Sequence, residues 1–392
     1  MKVRRENSVK KLVLSGKGIV TGSGSIAYLK EISYKKAFLV TGGHSMQRSG
    51  VLDKVQAYLK EAGCGSTVYA GIGKNPTIDE VRAGLVCMKE VKPDVVIAVG
   101  GGSAMDAAKA MLLFYEFPEL NFENVLEKNA AGEIPAERKT GLICVASTSG
   151  TGSEVTRGTV ITDTEQELKV PIMTDCLRPD IAILDADITM TMPKQIAAET
   201  GMDALTHAIE AYTNHNLDDF DEGLCMAAIR GIMKWLPVSY QEESKESREK
   251  MHNYQAMAGI GFANVGLGMV HGIAHSFGAA FNMAHGLTNA VILPYVLKYN
   301  SRNETVAEKL SELSYHCRCD DIIRAIEEMR ETLHIPESFA AAELSEEDFK
   351  NKRELLIEHA MLGATKVNPV VMDIESMSRM IDTVYYGGKI DF

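Results

Sequence analysis

Asp203 and His207 stand four positions apart in TGMDALTHAIEAY. His271 and His275 are likewise four apart in GMVHGIAHSFGAAFNMAHG, and His285 follows ten positions later. Both stretches carry helical patterning, and residues four apart on a helix project from one face toward a single point. One carboxylate with three imidazoles suits Fe(II), Zn(II) or another divalent transition ion such as Mn(II) better than Mg or Ca, which want oxygen ligands. A lone histidine on an apolar helix is more often a hydrogen-bonded core residue than a ligand. Here four of the ten histidines fall in two short apolar segments together with an aspartate, and burying so many polar groups without partners is costly. The spacing leaves open which three of the histidines bind.

A second kind of chemistry is suggested by VVIAVGGGSAMDAAKAM, where an apolar strand runs into glycines and then into a helix. Such a junction places backbone N–H groups and the positive end of a helix at the carboxyl edge of a sheet, where phosphates bind. Gly100, Gly101 and Gly102 let the backbone approach a pyrophosphate, and Ser103 with Asp106 reads as an S-x-x-D capping box. The competing reading is a tight turn whose glycines serve packing alone, since the spacing is not G-x-G-x-x-G. A second turn, STSGTGSE (147 to 154), follows another strand, and its Thr148, Thr151 and Ser153 are placed to close over the same ligand.

These residues need a framework. Through about residue 190 the chain alternates β-rich runs with helical stretches, as a parallel α/β sheet does. The strands expected are 37–42, 66–72, 94–100, 142–147 and 181–185, with helices such as 52–63 and 78–91 between them. Beyond Pro193 the periodicity is that of helices alone. The expected division is therefore residues 1–190 as an α/β dinucleotide-binding domain and 191–392 as an all-α metal-binding domain. The charged run QEESKESREK (241 to 250) reads as a solvated face or loop.

Composition fits this. The chain has 392 residues, 45% hydrophobic and 24% charged, which is the profile of a soluble globular protein of two or three domains. A net charge of -12 makes nucleic acid and anionic membranes poor partners and small molecules better ones. The basic N-terminus holds only Leu12-Val13-Leu14 as an apolar run, too short for a signal peptide, so a cytoplasmic location is expected. Seven scattered cysteines argue for reduced thiols; Cys317 and Cys319 form a CxC beside His316 but lack the second pair of a structural zinc site.

Taken together, GGGSAMDAAK, STSGTGSE, ETGMDALTHAIEAY and HGIAHSFGAAFNMAHG resemble, in order and separation, the successive signatures of the iron-containing (group III) alcohol dehydrogenase family over essentially the whole chain. The resemblance implies a dehydroquinate synthase-like architecture with cofactor, metal and substrate in a cleft between the two domains. It makes Asp203, His207, His271 and His285 the metal ligands and leaves His275 as a residue that supports those ligands or relays a proton, suited by an imidazole that titrates near neutrality. It also places Lys169 near the cofactor phosphates or ribose, and Asn75 and Thr77 along the cleft. The chain departs from the family pattern at Ala364, where many members carry a cysteine, and at Lys74, ahead of Asn75-Pro76-Thr77.

The reaction implied is hydride transfer between a nicotinamide cofactor and a primary alcohol or aldehyde. NAD-preferring enzymes commonly place an acid just after a strand to bind the adenosine ribose 2′-hydroxyl. Here KAFLVT is followed by Gly42, Gly43, His44 and Ser45, with no acid before Asp53. The stretch resembles the Gly-Gly-x-Ser form of the butanol dehydrogenase-like branch, which favours NADP(H) over NAD(H). The resemblance further implies a homodimer. The alternative is a sugar-phosphate cyclase of the dehydroquinate synthase type, but segments 201–213 and 261–290 contain no Lys or Arg for a phosphorylated substrate. A silent structural role is disfavoured by the intact ligand set.

Overall fold

The computed structural model describes residues 12–392; residues 1–11, including the basic segment ahead of Leu12, lie outside the described residues. Eight strands are formed among the described residues: β1 (Gly18–Thr21), β2 (Lys36–Gly42), β3 (Gly65–Ile72), β4 (Val95–Gly100), β5 (Gly141–Ala146), β6 (Gly158–Asp163), β7 (Leu168–Met173) and β8 (Ile181–Leu184). Six make one parallel sheet in the order β1-β8-β5-β4-β2-β3, and β6 and β7 form a separate antiparallel hairpin. Every residue of β4 and β5 is buried, as expected for inner strands of a sheet covered on both faces. Phe38, Val40, Val96 and Ala98 pack toward the helices Ile78–Val91 and Gly102–Glu116. Leu39, Ile97 and Val145 pack on the other face, against Val51–Glu61. The five strands read from β-branched runs are present; β1, β6 and β7 were not anticipated.

From Ala186 on, the described structure is helical apart from its connections. The helix Lys194–Thr213 is buried at every position from Ala197 to Thr213 except Thr200. A helix buried all round is a core element, and this one carries Asp203 and His207. Beside it lie Asp219–Glu242, Lys245–Val265 and His285–Asn300. The run 241–250 spans the end of one helix and the start of the next; Gln241, Glu242, Lys245 and Glu246 are exposed, as on a solvated face, but Ser247 and Arg248 are fully buried. Further along Lys245–Val265, Ala256 and Ile260 join the apolar layer under the sheet, so this helix ties the two halves together. After it the chain bends by 103° into Met269–Phe281. Asn282, at φ 50°, then reverses the chain into His285–Asn300. Among the described residues, no single helix is long and apolar enough to cross a membrane.

Candidate metal centre and cofactor cleft

The central helix brings Asp203 and His207 to the start of the helix that carries His271, and the reversal at Asn282 returns His285 to the same point. One ligand atom from each of Asp203, His207, His271 and His285 lies within 4.8 Å of all the others. The Nε2 atoms of His207 and His271 are each 3.8 Å from Asp203 Oδ1, and that of His285 is 3.6 Å away. These separations are too long for hydrogen bonds. They are close to the ~3.4 Å expected between two ligands that each sit about 2.1 Å from a shared tetrahedral ion. The residues therefore fit a divalent transition ion. Asp203, His207 and His271 are buried, whereas the His285 side chain is 32% exposed, so the set opens on the His285 side.

Burial holds all three imidazoles below their ordinary range, and the neighbouring histidines push His271 and His285 further down. The neutral form, with a free lone pair, is the one a metal needs. The tautomer of His271 is fixed from behind. Glu210 accepts the Val270 N–H at 2.7 Å with one oxygen and faces His271 Nδ1 at 2.5 Å with the other. We assign Nδ1 as the donor, which leaves Nε2 bare toward Asp203. Phe262 stacks on His207 with ring centroids 4.3 Å apart. Sequence reading missed Glu210, although its place seven residues after Asp203 puts it on the same helix face. It also missed Asn289, one turn beyond His285, whose side chain reaches the cluster.

His275 lies outside the four-ligand group. Its ring stacks on that of His285 at 5.2 Å and meets His271 edge-on at 6.0 Å. It does not titrate near neutrality: burial, with His285 and Lys169 beside it, holds it well below the usual imidazole value. Across the cleft, Lys169 on β7 donates to Asn75 Oδ1 and Thr162 Oγ1, each at 2.8 Å. Burial lowers its ammonium to about 8. Asn75 in turn donates to Asn282 Oδ1 at 2.7 Å, so Lys169, Asn75 and the reversal before His285 form one chain of contacts. Thr77 is the N-cap of Ile78–Val91, in a capping box with Glu80.

The glycine turn differs from expectation in one respect. The helix begins at Gly102 with Gly101 as N-cap and no side-chain cap, so Ser103 and Asp106 do not form a capping box. Ser103 Oγ donates to the Lys74 carbonyl. Asp106 is claimed by the hairpin, accepting from Ser153 Oγ at 2.9 Å and Val160 N–H at 3.0 Å. Ser153 is buried and also receives the ammonium of fully buried Lys109, at 3.0 Å. Asp106 and Ser153 thus brace the turn from within. Thr148 and Thr151 cross the glycines: a Cβ on Gly101 would lie 3.3 Å from Thr148 Cγ2, and one on Gly102 only 2.7 Å from Thr151 Cγ2. Packing is therefore one reason for these glycines. The turn is buttressed by Lys245–Val265, where Gln255 Oε1 accepts the Gly152 N–H at 3.0 Å and His252 Nδ1 meets Ser149 Oγ at 3.1 Å.

On the neighbouring strand β2, Gly42 is followed by Gly43 at φ 42° and by exposed His44, Ser45 and Arg48. Since β2 and β4 are adjacent and parallel, this turn and the triple glycine share one edge of the sheet.

Residues 15–186 match the family model for iron-containing alcohol dehydrogenase, and residues 197–385 match that for the C-terminal part of the Fe-containing alcohol dehydrogenase family. The chain is 41% identical over 382 residues to an NADPH-dependent butanol dehydrogenase of Clostridium saccharobutylicum, covering 95% of this chain and 98% of that one. It is 34% identical over 375 residues to an alcohol dehydrogenase of Thermococcus barophilus, with 94% and 97% covered. The solved iron-containing alcohol dehydrogenase of Thermococcus thioreducens superposes with a TM-score of 0.88 at 33% identity, over 96% of this chain and 100% of that one. These matches set the cyclase alternative aside. The chain belongs to the iron-containing alcohol dehydrogenase family, on its butanol dehydrogenase-like side, and carries out NAD(P)-linked interconversion of alcohols and aldehydes.

Proposed function

We propose that this chain is an NADPH-dependent aldehyde reductase whose metal is held by Asp203, His207, His271 and His285. The convergence of one carboxylate and three neutral imidazoles on a point open at His285 carries this reading. Fe(II) is the ion assigned, with Zn(II) or Mn(II) as substitutes the same donors accept. When bound, such an ion supplies Lewis acidity toward the oxygen of an aldehyde or primary alcohol. In the reducing direction the nicotinamide would supply a hydride for the carbonyl carbon, and the oxygen would need a proton. His275, neutral, part-exposed and stacked on His285, would relay that proton from solvent, accepting at one ring nitrogen and releasing from the other. Gly100, Gly101, Gly102 and the Thr148–Thr151 turn would hold the cofactor's pyrophosphate along the sheet edge, with Asn75 and Lys169 toward its ribose or phosphates.

Preference for NADP(H) rests on Gly42, Gly43 and Ser45, on exposed Arg48, and on the absence of an acid there. The name of the Clostridium relative agrees with it. The working form is taken to be a homodimer, on family resemblance; light scattering that gave a monomer at micromolar concentration would refute it. The central test is a panel of short-chain aldehydes and alcohols with NADPH and NADH on protein reconstituted with Fe(II), Zn(II) or Mn(II). Turnover that needs the metal and favours NADPH is expected; equal rates after exhaustive chelation would overturn the reading.

A further inference from the structure

Asn289 is fully buried, and its amide nitrogen sits inside the proposed ligand set. Nδ2 lies 2.6 Å from Asp203 Oδ1, 3.1 Å from His271 Nε2 and 3.2 Å from His285 Nε2, whereas Oδ1 has no hydrogen-bond partner. The orientation is set by charge: turning the amide over would put its oxygen 2.6 Å from the Asp203 carboxylate oxygen. The three acceptors belong to three different helices, Lys194–Thr213, Met269–Phe281 and His285–Asn300, the last of which carries Asn289 itself, and an NH2 group has only two hydrogens to share among them. With Nδ1 assigned as the donor to Glu210, His271 Nε2 is left as an acceptor.

We propose that Asn289 is a positioning residue for the metal centre, an inference that rests on the metal-binding reading above. Before a cation arrives, its N–H groups gather Asp203, His271 and His285 at one point and satisfy lone pairs that would otherwise be buried and mutually repulsive. Once the imidazole lone pairs are given to a cation, the amide keeps Asp203 Oδ1 as its partner and fixes the direction of that carboxylate. Asn289 thus works from within the cluster, while Glu210 works from behind His271.

The test loads wild type, Asn289→Ala, Asn289→Leu and Asn289→Ser with Co(II), whose visible absorption reports the ligand field, and then follows release into excess EDTA. The Ala and Leu variants are expected to lose Co(II) ten- to a hundredfold faster than wild type, the range seen when such supporting bonds are removed. A changed visible spectrum is expected with it. The Ser variant, which keeps one hydroxyl donor in a smaller side chain, should fall between. Release within twofold of wild type with an unaltered spectrum overturns the proposal, as does a Leu variant that behaves as wild type, since volume alone would then suffice. If Ala or Leu does not fold, the Ser variant decides by the same two readouts. A wild-type protein that takes up no Co(II) refutes the metal-binding reading itself, which is a different result from equal release rates.

Discussion

Replacing Gly42 by Asp tests cofactor choice at a single atom group. Gly42, unlike Gly43, is not in the positive-φ region, and a Cβ built on it meets only the Ile72 carbonyl, at 3.4 Å. The side chain therefore enters without backbone strain and at ordinary van der Waals distance. A carboxylate about 5 Å from a dianionic 2′-phosphate costs about 1.5 to 3 kcal/mol at effective dielectric constants between that of water and half of it. That is roughly a ten- to hundredfold loss of kcat/KM for NADPH. With NADH the same carboxylate gains a hydrogen bond from the ribose 2′-hydroxyl worth about 1.5 kcal/mol, roughly another tenfold in the ratio. The combined swing exceeds the wild-type preference for NADPH, set here at about tenfold or more. Initial rates of aldehyde reduction with each cofactor measure it, and the repulsive part should shrink between about 20 mM and 500 mM salt because the turn is exposed. Equal efficiencies in the wild type, or a Gly42→Asp protein that still prefers NADPH, would refute the reasoning.

His285→Ala should abolish turnover and sharply lower metal content while NADPH still binds; a full metal complement by elemental analysis would show that His285 is not a ligand. His275→Ala should keep its metal but lose rate across the neutral pH range, and metal loss as large as that of His285→Ala would mean the two roles are exchanged. His252 is predicted to make the fold acid-sensitive. Burial lowers its folded value to about 4, so between pH 6.5 and 4 the unfolded chain takes up a proton that the folded one refuses. Stability is then lost as pH falls, by up to about 1.4 kcal/mol per unit. His252→Gln should remove that slope in denaturant unfolding between pH 7 and 4.5, and parallel wild-type and variant curves would count against it.

How far the sequence could be read depended on whether local or distant residues decide each feature. β4 and β5 announce themselves because strands buried on both faces of a parallel sheet are continuous apolar runs. β1 is only four residues long, and β7 carries Lys169 and Pro171, so neither has such a signal. The pairs Asp203/His207 and His271/His275 were legible as helix faces. The choice of His285 over His275 was not, because it depends on the reversal at Asn282 and came only through family resemblance. The Ser103/Asp106 pattern misled for a related reason: β6 and Ser153 lie some fifty residues downstream and take the Asp106 carboxylate first. Arg248 looked solvated in a charged run, yet the helix it belongs to is pressed between the two halves.

The strand order also sets a timetable for synthesis. β1 is an edge strand whose neighbour in the sheet is β8, and Leu184 follows Thr21 by 163 positions. At about 5 to 20 residues per second, β1 has waited roughly 8 to 30 s for its partner when β8 is made. The inner strands β2 and β4, on the far side of β8 and β5, pair with each other long before that. A long apolar strand left open for such a time would invite pairing with another nascent chain. The sequence GIVT, four residues long with Gly16 just ahead and Gly22 just behind, is a poor template for that pairing. The strand that closes the sheet last is thus among the least adhesive on the ribosome.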